Sequence, residues 1–321
     1  MKAMRIETTG GPEVMQWQDI TLPPLAPGEV RLRHTAIGLN FIDTYHRTGL
    51  YPLALPSGLG LEAAGVVEAA GEGVTLPVGT RVGYCWGPIG AYATHRNIAA
   101  GAVVPLPDGV SDEMAAAGLL KGCTTEYLVD RCAKVQPGDW ALVPAAAGGV
   151  GLLLLQWLKL VGATVIAVAG TKEKLALAAA HGADHGVLDT ADVAGEVRAL
   201  TNGRGVDVVF DGVGKDSWES SLDSLKRRGL MISFGNASGL VSGVDLGILT
   251  QKGSLFVTRP TLFDYYATPE ERQTYAGRVL ALMASGRLKL AINQRYKLAN
   301  AAKAHADMAA RLTTGSTVLI P

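Results

Sequence analysis

The stretch Pro144–Gly151, which reads PAAAGGVG, decides the fold of this chain. The run before it, DWALVPA, is typical of a buried strand, and the run after it, GVGLLLLQWLKLV, is typical of a buried helix. Glycines at such a turn let a pyrophosphate approach the backbone and let the helix pack closely on the strand. The stretch therefore predicts a dinucleotide-binding loop, whose phosphate-facing residues are Ala147, Gly148, Gly149, Val150 and Gly151.

One position of this loop departs from the usual G-x-G-x-x-G fingerprint, because Ala146 stands where the first glycine is expected. That glycine serves the tight turn, and alanine is tolerated there as long as its φ stays negative. The incomplete motif alone leaves open a strand-to-helix turn without a ligand. Its surroundings favour the nucleotide, since ATVIAVA, HGVLD, VDVVFDGVG, LMISFGN and SLFVT follow as strand-like runs, with helix-like runs between most of them. This alternation predicts a parallel, doubly wound α/β sheet of the Rossmann type.

The residues after the second predicted strand of this sheet indicate which nucleotide binds. An Asp or Glu at this place would bind the ribose 2′-hydroxyl of NAD. The chain has Gly170 and Thr171 instead, with Lys174 one helical step further on. A hydroxyl and a cation suit the 2′-phosphate of NADPH, and an anion would relieve the unfavourable placement of Lys172 and Lys174 at a helix N-terminus. We therefore predict NADPH as the cofactor; the alternative is that both lysines are solvated surface residues.

The composition favours a protein that acts on small molecules over one that binds nucleic acid or a membrane. The 321 residues carry 29 basic and 29 acidic side chains, so no basic footprint for nucleic acid is expected. The N-terminus lacks the apolar core of a signal peptide, and the apolar run 152–170 is interrupted by Gln156, Lys159 and Gly162. Three cysteines without CxxC spacing fit a reducing compartment. We expect a cytoplasmic protein without a membrane span.

Turn signals and helix signals divide the chain into two predicted domains. In the first third, short strand-like runs alternate with turn signals such as LPPLAPGE and PLPDGV, which is typical of a mostly β domain. A helix-forming run then begins at Asp112, with Ser111 as its N-cap. The closing strand-like run STVLIP no longer follows the rhythm of the doubly wound sheet. We predict a catalytic domain from residues 1–122 and 260–321 and a dinucleotide-binding domain from residues 123–259.

Several motifs together resemble one known group of enzymes over almost the whole chain. They are GGPEV (10–14), AIGLNFIDTYHRTGLY (36–51), LPSGLGLEAAG (55–65), LKGCTTEYL (120–128), AAAGGVG (145–151) and SLDSLKRRGLMISFGN (221–236). This set is similar to the medium-chain dehydrogenase/reductase superfamily and, within it, to the zinc-free, zeta-crystallin-like NADPH:quinone oxidoreductases. The resemblance implies a Rossmann domain, a GroES-like catalytic domain and a homodimer.

The resemblance also implies roles for particular residues. Asn40, Tyr45 and Tyr51 would line the cleft beside the nicotinamide and offer an amide and two phenols to a planar acceptor. The residues expected at the nicotinamide and its ribose are Thr124, Phe234, Gly235 and Asn236, while Arg259 either faces the cleft or caps a strand. Related enzymes often have a tyrosine near the adenosine where this chain has Thr190.

The expected reaction follows from ligands that the sequence lacks. Zinc alcohol dehydrogenases of the same superfamily place metal ligands where this chain has Asn40 and Leu61, and only Glu62 is retained. Leucine cannot bind zinc, so no catalytic metal is predicted. Without a Lewis acid, the acceptor must need little activation, which suits a quinone. The alternatives left open are reduction of an activated carbon–carbon double bond in an enal, enone or enoyl thioester, and a non-catalytic NADPH-binding or RNA-binding role.

Overall fold

A computed structural model describes residues 1–189 and 192–321 of the chain. The described residues form two compact units. Unit 1 comprises Met1–Cys123 and Tyr266–Pro321, and unit 2 comprises Thr124–Tyr265. Thr190, where a departure from the related enzymes was noted, lies outside the described residues.

The secondary structure alternates between short strands and helices. The strands are β1 (Lys2–Ile6), β2 (Gln16–Asp19), β3 (Glu29–Leu39), β4 (Ser57–Gly58), β5 (Ala63–Ala70), β6 (Arg81–Tyr84), β7 (His95–Ala99), β8 (Val104–Pro105), β9 (Trp140–Val143), β10 (Thr164–Ala169), β11 (His185–Leu188), β12 (Val206–Asp211), β13 (Leu225–Ser233), β14 (Phe256–Thr258), β15 (Ile292–Lys297) and β16 (Ser316–Ile320). The α-helices are α1 (Phe41–Thr48), α2 (Asp112–Glu126), α3 (Gly149–Val161), α4 (Lys172–Ala180), α5 (Val193–Leu200), α6 (Trp218–Asp223), α7 (Gly247–Gln251), α8 (Leu262–Tyr265), α9 (Pro269–Glu271), α10 (Gly277–Ala284) and α11 (Ala301–Ala309). Among the described residues, no helix has the length and apolar character that crossing a membrane requires.

Unit 2 contains a parallel sheet in the order β11-β10-β9-β12-β13-β14. Its central strands are largely buried, and residues such as Leu142, Ile166, Val209 and Met231 form one apolar cluster between the sheet and its helices. Because the chain moves outward from β9 in one direction and from β12 in the other, the strand order reverses between these two strands. The predicted doubly wound sheet is confirmed, and its carboxyl edge at β9 and β12 is where such folds bind ligands.

One predicted element of unit 2 is wrong in its extent. The run KDSWESSLDSLKRRG, residues 215–229, suggests a single helix, but helix α6 covers only Trp218–Asp223 and β13 begins at Leu225. Leu225 pairs in parallel with Val206 of β12, followed by a register shift. Arg228 adopts a left-handed conformation with φ of 57° in this irregular stretch. Tertiary pairing with β12 therefore overrides the local helix propensity of the basic residues.

Unit 1 is built around β3, the long strand at the centre of its main sheet. That sheet has the order β15-β16-β3-β5-β6-β8, with β7 also paired to β3, and a small sheet has the order β2-β1-β4. Val318 of the C-terminal strand β16 pairs with Gly38 of β3 in antiparallel register. The main sheet therefore holds the end of β3, after which α1 begins.

Candidate functional site

The loop between β9 and α3 in unit 2 adopts the tight turn that its sequence predicts. The left-handed residue is Ala145, with φ of 51°, whereas Ala146 is not among the residues of positive φ. Ala146 is fully buried and donates its backbone N–H to Val168 of β10 at 3.0 Å. The alanine in place of the first glycine thus meets the condition of negative φ and ties the loop to the neighbouring strand.

The N-terminus of α3 offers backbone donors, because its N-cap residue is a glycine without a capping side chain. Gly148 is the N-cap residue and makes no side-chain capping bond, and the first bond within the helix runs from Leu152 N to Gly148 O at 2.9 Å. The first amides of a helix have no partner inside it. A Cβ on Gly151 would lie 2.5 Å from the carbonyl oxygen of Ala146, so only glycine allows the helix to approach the loop this closely. Amides without a partner inside the helix, at its positive end, fit a pyrophosphate.

The turn after β10 presents the residues predicted to select the nucleotide. Apart from its chain neighbours, no atom of the described residues lies within 4 Å of a Cβ built on Gly170, which leaves open space beside the loop. The Thr171 hydroxyl caps α4 by accepting the backbone N–H of Lys174 at 3.2 Å. This cap fixes the first turn of α4, in which Lys174 lies half-buried. The first turn of α4 thus carries Lys174 together with Glu173, and Thr171 stands where an acid would bind the ribose of NAD.

A buried carboxylate organises the loop that follows β12. Asp211 accepts the backbone N–H groups of Val213 and Gly214 at 2.8 and 3.0 Å through one oxygen. Its other oxygen accepts the hydroxyls of Ser217 and Ser221, both at 2.6 Å. These hydrogen bonds tie the loop to the carboxyl edge of the sheet, so the loop is rigidly held there.

The end of β13 carries the residues predicted at the nicotinamide. Phe234 and Gly235 lie against the loop after β12, because a Cβ on Gly235 would lie 2.2 Å from the carbonyl oxygen of Gly212. Asn236 and Thr124 are buried. Arg259 donates to the Ser233 hydroxyl and to the Gly235 carbonyl, both at 2.9 Å, so it holds the strand end in place.

In unit 1, Asn40 lies between two buried charges. It follows β3 and is the N-cap of α1. Its Oδ1 accepts from Lys121 Nζ at 2.8 Å, and its Nδ2 donates to Glu62 Oε2 at 2.8 Å. The other oxygen of Glu62 accepts the backbone N–H of Leu120 at 2.6 Å. Burial raises the pKa of Glu62, and the Lys121 ammonium and these hydrogen bonds oppose that rise.

A second buried chain of polar groups starts at the backbone of Asn40. Asp43 Oδ2 accepts the Asn40 N–H and the Tyr92 hydroxyl, both at 2.9 Å. The Tyr92 oxygen also lies 3.0 Å from His305 Nε2. Burial raises the pKa of Asp43 to about 7 and lowers that of His305 to about 3. His305 is therefore neutral at physiological pH, whereas Asp43 titrates close to physiological pH.

The raised pKa of Asp43 predicts a stability effect of definite sign. A raised pKa means that the folded state binds more protons than the unfolded state between the ordinary value of 3.8 and about 7. The free energy of unfolding should therefore fall as pH rises through this window, by up to about 4 kcal/mol for this group. Asp43→Asn removes the titration, so its stability relative to wild type should increase from about pH 5 to about pH 8.

Urea unfolding at both pH values measures this difference. Asp19→Asn is the control, because the Asp19 side chain is 81% exposed and its loss should change the free energy of unfolding by less than about 1 kcal/mol. If Asp43→Asn changes the free energy of unfolding by the same amount at both pH values, the folded-state pKa of Asp43 is not raised.

Tyr45 and Tyr51 form an aromatic wall next to Asn40 in sequence. Their ring centroids are 5.2 Å apart in an edge-on arrangement, and the ring of Phe41 lies 6.4 Å from that of Tyr45. Tyr51 also contacts the His46 ring at 6.0 Å. Both tyrosines are half-buried, so each presents part of its ring to solvent. The structure thus brings the two predicted phenols together.

The residues that stand where zinc alcohol dehydrogenases place their metal ligands do not fit a metal. Leu61 is buried and has no donor atom. The oxygens of Asn40 and Glu62 face the Lys121 ammonium, whose Nζ lies 3.8 Å from Glu62 Oε2. A divalent cation would be repelled by this ammonium, and it would not find the three protein ligands that a catalytic zinc site needs.

Sequence reasoning missed Lys121 as a neighbour of Asn40 and gave Glu62 no role. Both stand in runs of small and apolar residues, LLKGCTT and LGLEAAG. A lone charge in a run that otherwise predicts burial indicates a paired, buried group. That signal could have identified both residues, but not the fact that Asn40 lies between them.

Comparison with known proteins gives matches along the whole chain. Residues 26–137 match the family described as the alcohol dehydrogenase GroES-like domain, and residues 149–284 match the family described as zinc-binding dehydrogenase. The chain is 51% identical over 323 residues to a quinone oxidoreductase of Pseudomonas aeruginosa, covering 100% of this chain and 99% of the relative. It is 42% identical to a 2-haloacrylate reductase of a Burkholderia species, covering 98% of each.

A solved structure is similar to the chain throughout its length. The Escherichia coli quinone oxidoreductase complexed with NADPH superposes with a TM-score of 0.98 at 45% identity, and the match covers 100% of both chains. The backbone that carries the glycine loop, and the backbone that carries Asn40, Glu62 and Lys121, are therefore shared with this relative.

Proposed function

Because the chain belongs to the quinone oxidoreductases of the medium-chain dehydrogenase/reductase superfamily, we propose that it reduces quinones with NADPH and without a metal. The net reaction converts a quinone, NADPH and one proton into a hydroquinone and NADP⁺. Bound NADPH supplies two electrons and one proton as hydride equivalents, and the second proton comes from solvent. The observation that carries the proposal is the uncapped N-terminus of α3 at the strand-order reversal, followed by Thr171 and Lys174 instead of an acid.

Unit 2 supplies the proposed NADPH site. The α3 amides in the loop from Ala147 to Gly151 would hold the pyrophosphate, since helix N-termini favour anions. The 2′-phosphate would occupy the open space beside Gly170. The Thr171 hydroxyl and the Lys174 ammonium would bind it there. The nicotinamide side would be formed by Thr124, Phe234, Gly235, Asn236 and Arg259.

Unit 1 supplies the groups proposed to bind the acceptor. Asn40 would donate a hydrogen bond to the quinone oxygen on which negative charge develops during reduction. Tyr45 and Tyr51 would pack their rings against the planar acceptor and orient it. Positioning and hydrogen bonding suffice for an acceptor that is already electrophilic.

Reduction of an activated carbon–carbon double bond is the second candidate function, because the chain is 42% identical to a 2-haloacrylate reductase. The two candidates require the same cofactor and differ in the acceptor. NADPH consumption should be measured with a panel of benzoquinones and naphthoquinones, enones, and 2-haloacrylates, with an aldehyde as control. We expect the quinones to give a kcat/KM roughly 100-fold above that of any other acceptor. Rapid turnover of enones or haloacrylates with no turnover of any quinone would instead establish the second candidate.

We also propose that the protein is a homodimer formed through β14. This strand lies at the edge of the six-stranded sheet, and Phe256 on it is 60% exposed. Leu246, in the preceding segment, is 75% exposed. Exposed apolar side chains beside an open strand edge favour pairing with a second copy.

Phe256→Glu should convert the dimer into a monomer, because it places a charge on the proposed interface. Light scattering coupled to size exclusion measures the mass directly. Leu312→Glu is the matched control, since Leu312 is 73% exposed in unit 1 and should leave the mass unchanged. A wild-type chain that runs as a monomer, or a Phe256→Glu variant that remains dimeric, would contradict this interface.

A cytoplasmic location is proposed because the cysteines are free thiols. Cys85 and Cys123 are buried, Cys132 is half-buried, and all three are free thiols. Free thiols persist in a reducing compartment. Fractionation of cells that produce the protein tests this location.

A further inference from the structure

We infer that Lys121 and Glu62 are positioning residues for Asn40: the pair orients its side-chain amide, and the Lys121 ammonium strengthens that amide as a hydrogen-bond donor to the acceptor. The inference rests on the proposed function, in which Asn40 touches the quinone. Lys121 comes from α2, and Glu62 directly precedes β5. Neither residue is expected to contact the quinone itself.

The contacts around Asn40 allow only one orientation of its amide. Oδ1 faces the Lys121 ammonium at 2.8 Å, and Nδ2 faces the Glu62 carboxylate at 2.8 Å. Rotating the amide by half a turn would place its N–H donors against an ammonium that can only donate, and its oxygen against a carboxylate that can only accept. The two charges therefore select the observed orientation.

Fold stability does not by itself explain why a charged pair lies here. The Lys121 side chain is 7% exposed and the Glu62 side chain 0% exposed, so both charges have lost most of their water. Such pairs often contribute no more stability than well-packed apolar residues of similar volume. The backbone also makes room for the pair, because a Cβ on Gly38 would lie 2.2 Å from Glu62 Oε2.

The arrangement has a chemical consequence for the second amide proton of Asn40. An amide nitrogen carries two protons, and Glu62 accepts one of them. Among the described residues, Glu62 is the partner of Nδ2, which leaves its second proton for a ligand. The ammonium on Oδ1 withdraws electron density from the amide and so strengthens its second N–H as a donor, whereas the carboxylate on Nδ2 opposes this effect. Lys121 thus supplies the polarisation of the amide, and Lys121 and Glu62 together fix its orientation.

The test compares single and double variants, so that positioning can be separated from stability. Lys121→Met leaves Glu62 buried without its cation and should lower both Tm and kcat. Lys121→Met combined with Glu62→Gln removes both charges and should recover most of the lost Tm. If the pair positions and polarises Asn40, kcat for quinone in the double variant should remain about tenfold or more below wild type. The NADPH Kd, measured by fluorescence quenching, should stay within about twofold.

Arg81→Met is the matched control. It removes an ion pair with Asp112 in the same unit, at 2.7 Å, that does not contact Asn40. This variant should retain kcat within about twofold. Recovery of kcat together with Tm in the double variant would overturn the inference, because it would show a purely structural role.

A second readout does not depend on activity. Asn40 side-chain amide protons, detected by NMR after selective ¹⁵N-asparagine labelling and assigned with Asn40→Ala, should exchange with solvent about tenfold or more faster in the double variant than in wild type. Unchanged exchange would overturn the inference. If the wild-type protein reduces no quinone, the proposed function fails, while the exchange measurement still decides whether Lys121 and Glu62 hold the amide.

Discussion

Changing Asn40 to alanine is expected to lower kcat for quinone reduction by about 100- to 1,000-fold, the range found when one donor to a developing oxyanion is removed. The reason is that the Asn40 amide is held in one orientation by Lys121 and Glu62, so its donor is preorganised. The NADPH Kd should change by no more than about twofold, because the proposed cofactor residues belong to unit 2. Steady-state kinetics with a soluble benzoquinone and NADPH titration measure the two effects.

The control for this prediction is Asn97→Ala. Asn97 also lies in unit 1 and uses its amide in two hydrogen bonds, from the Arg31 guanidinium and to the Pro23 carbonyl, both at 3.0 Å. Its loss should leave kcat within about threefold of wild type. If Asn40→Ala retains wild-type kcat, the amide does not contact the developing charge and the acceptor site must lie elsewhere.

Changing Lys174 to alanine is expected to raise the Kd for NADPH by about 10- to 100-fold, which corresponds to the loss of a charge-assisted hydrogen bond to phosphate. NADH lacks the 2′-phosphate, so its Kd should change by less than about threefold. The structure supports this difference because the Thr171 cap fixes the turn of α4 that carries Lys174. Calorimetric titration of both nucleotides gives the two Kd values.

Lys159→Ala is the matched charge removal. Lys159 lies in the last turn of α3, opposite the glycine loop, and pairs with Asp184 at 2.7 Å. It should affect neither nucleotide beyond about twofold. Equal losses for NADPH and NADH in Lys174→Ala would contradict the phosphate role.

The fold of unit 2 could be predicted because its signals are local. A glycine loop between an apolar strand and an apolar helix, followed by further strand-like runs, allows few arrangements other than the observed sheet. The helix predicted over residues 215–229 was too long because the contact that ends it is not local in sequence. The pairing of Leu225 with Val206 that starts β13 is tertiary, and nothing local to the basic residues announces it.

The candidate site could be predicted only in part. Asn40, Tyr45 and Tyr51 are close in sequence, and a resemblance to known enzymes singled them out as a group. The buried charges around Asn40 come from the residue before β5 and from α2, which are distant in the chain, so their convergence depends on strand pairing and helix packing. Tyr92 and His305, which contact each other at 3.0 Å, lie 213 residues apart for the same reason. Contacts of this kind carry no periodic or motif signal.

Anaerobic turnover of the wild-type protein tests most directly whether this chain transfers reducing equivalents from NADPH to quinones. NADPH consumption and hydroquinone formation should be followed together, with oxygen removed so that the product is not reoxidised. We predict one hydroquinone for each NADPH consumed, and a kcat/KM with NADPH about tenfold or more above that with NADH. NADPH that binds but is not consumed with any benzoquinone or naphthoquinone would contradict the claim.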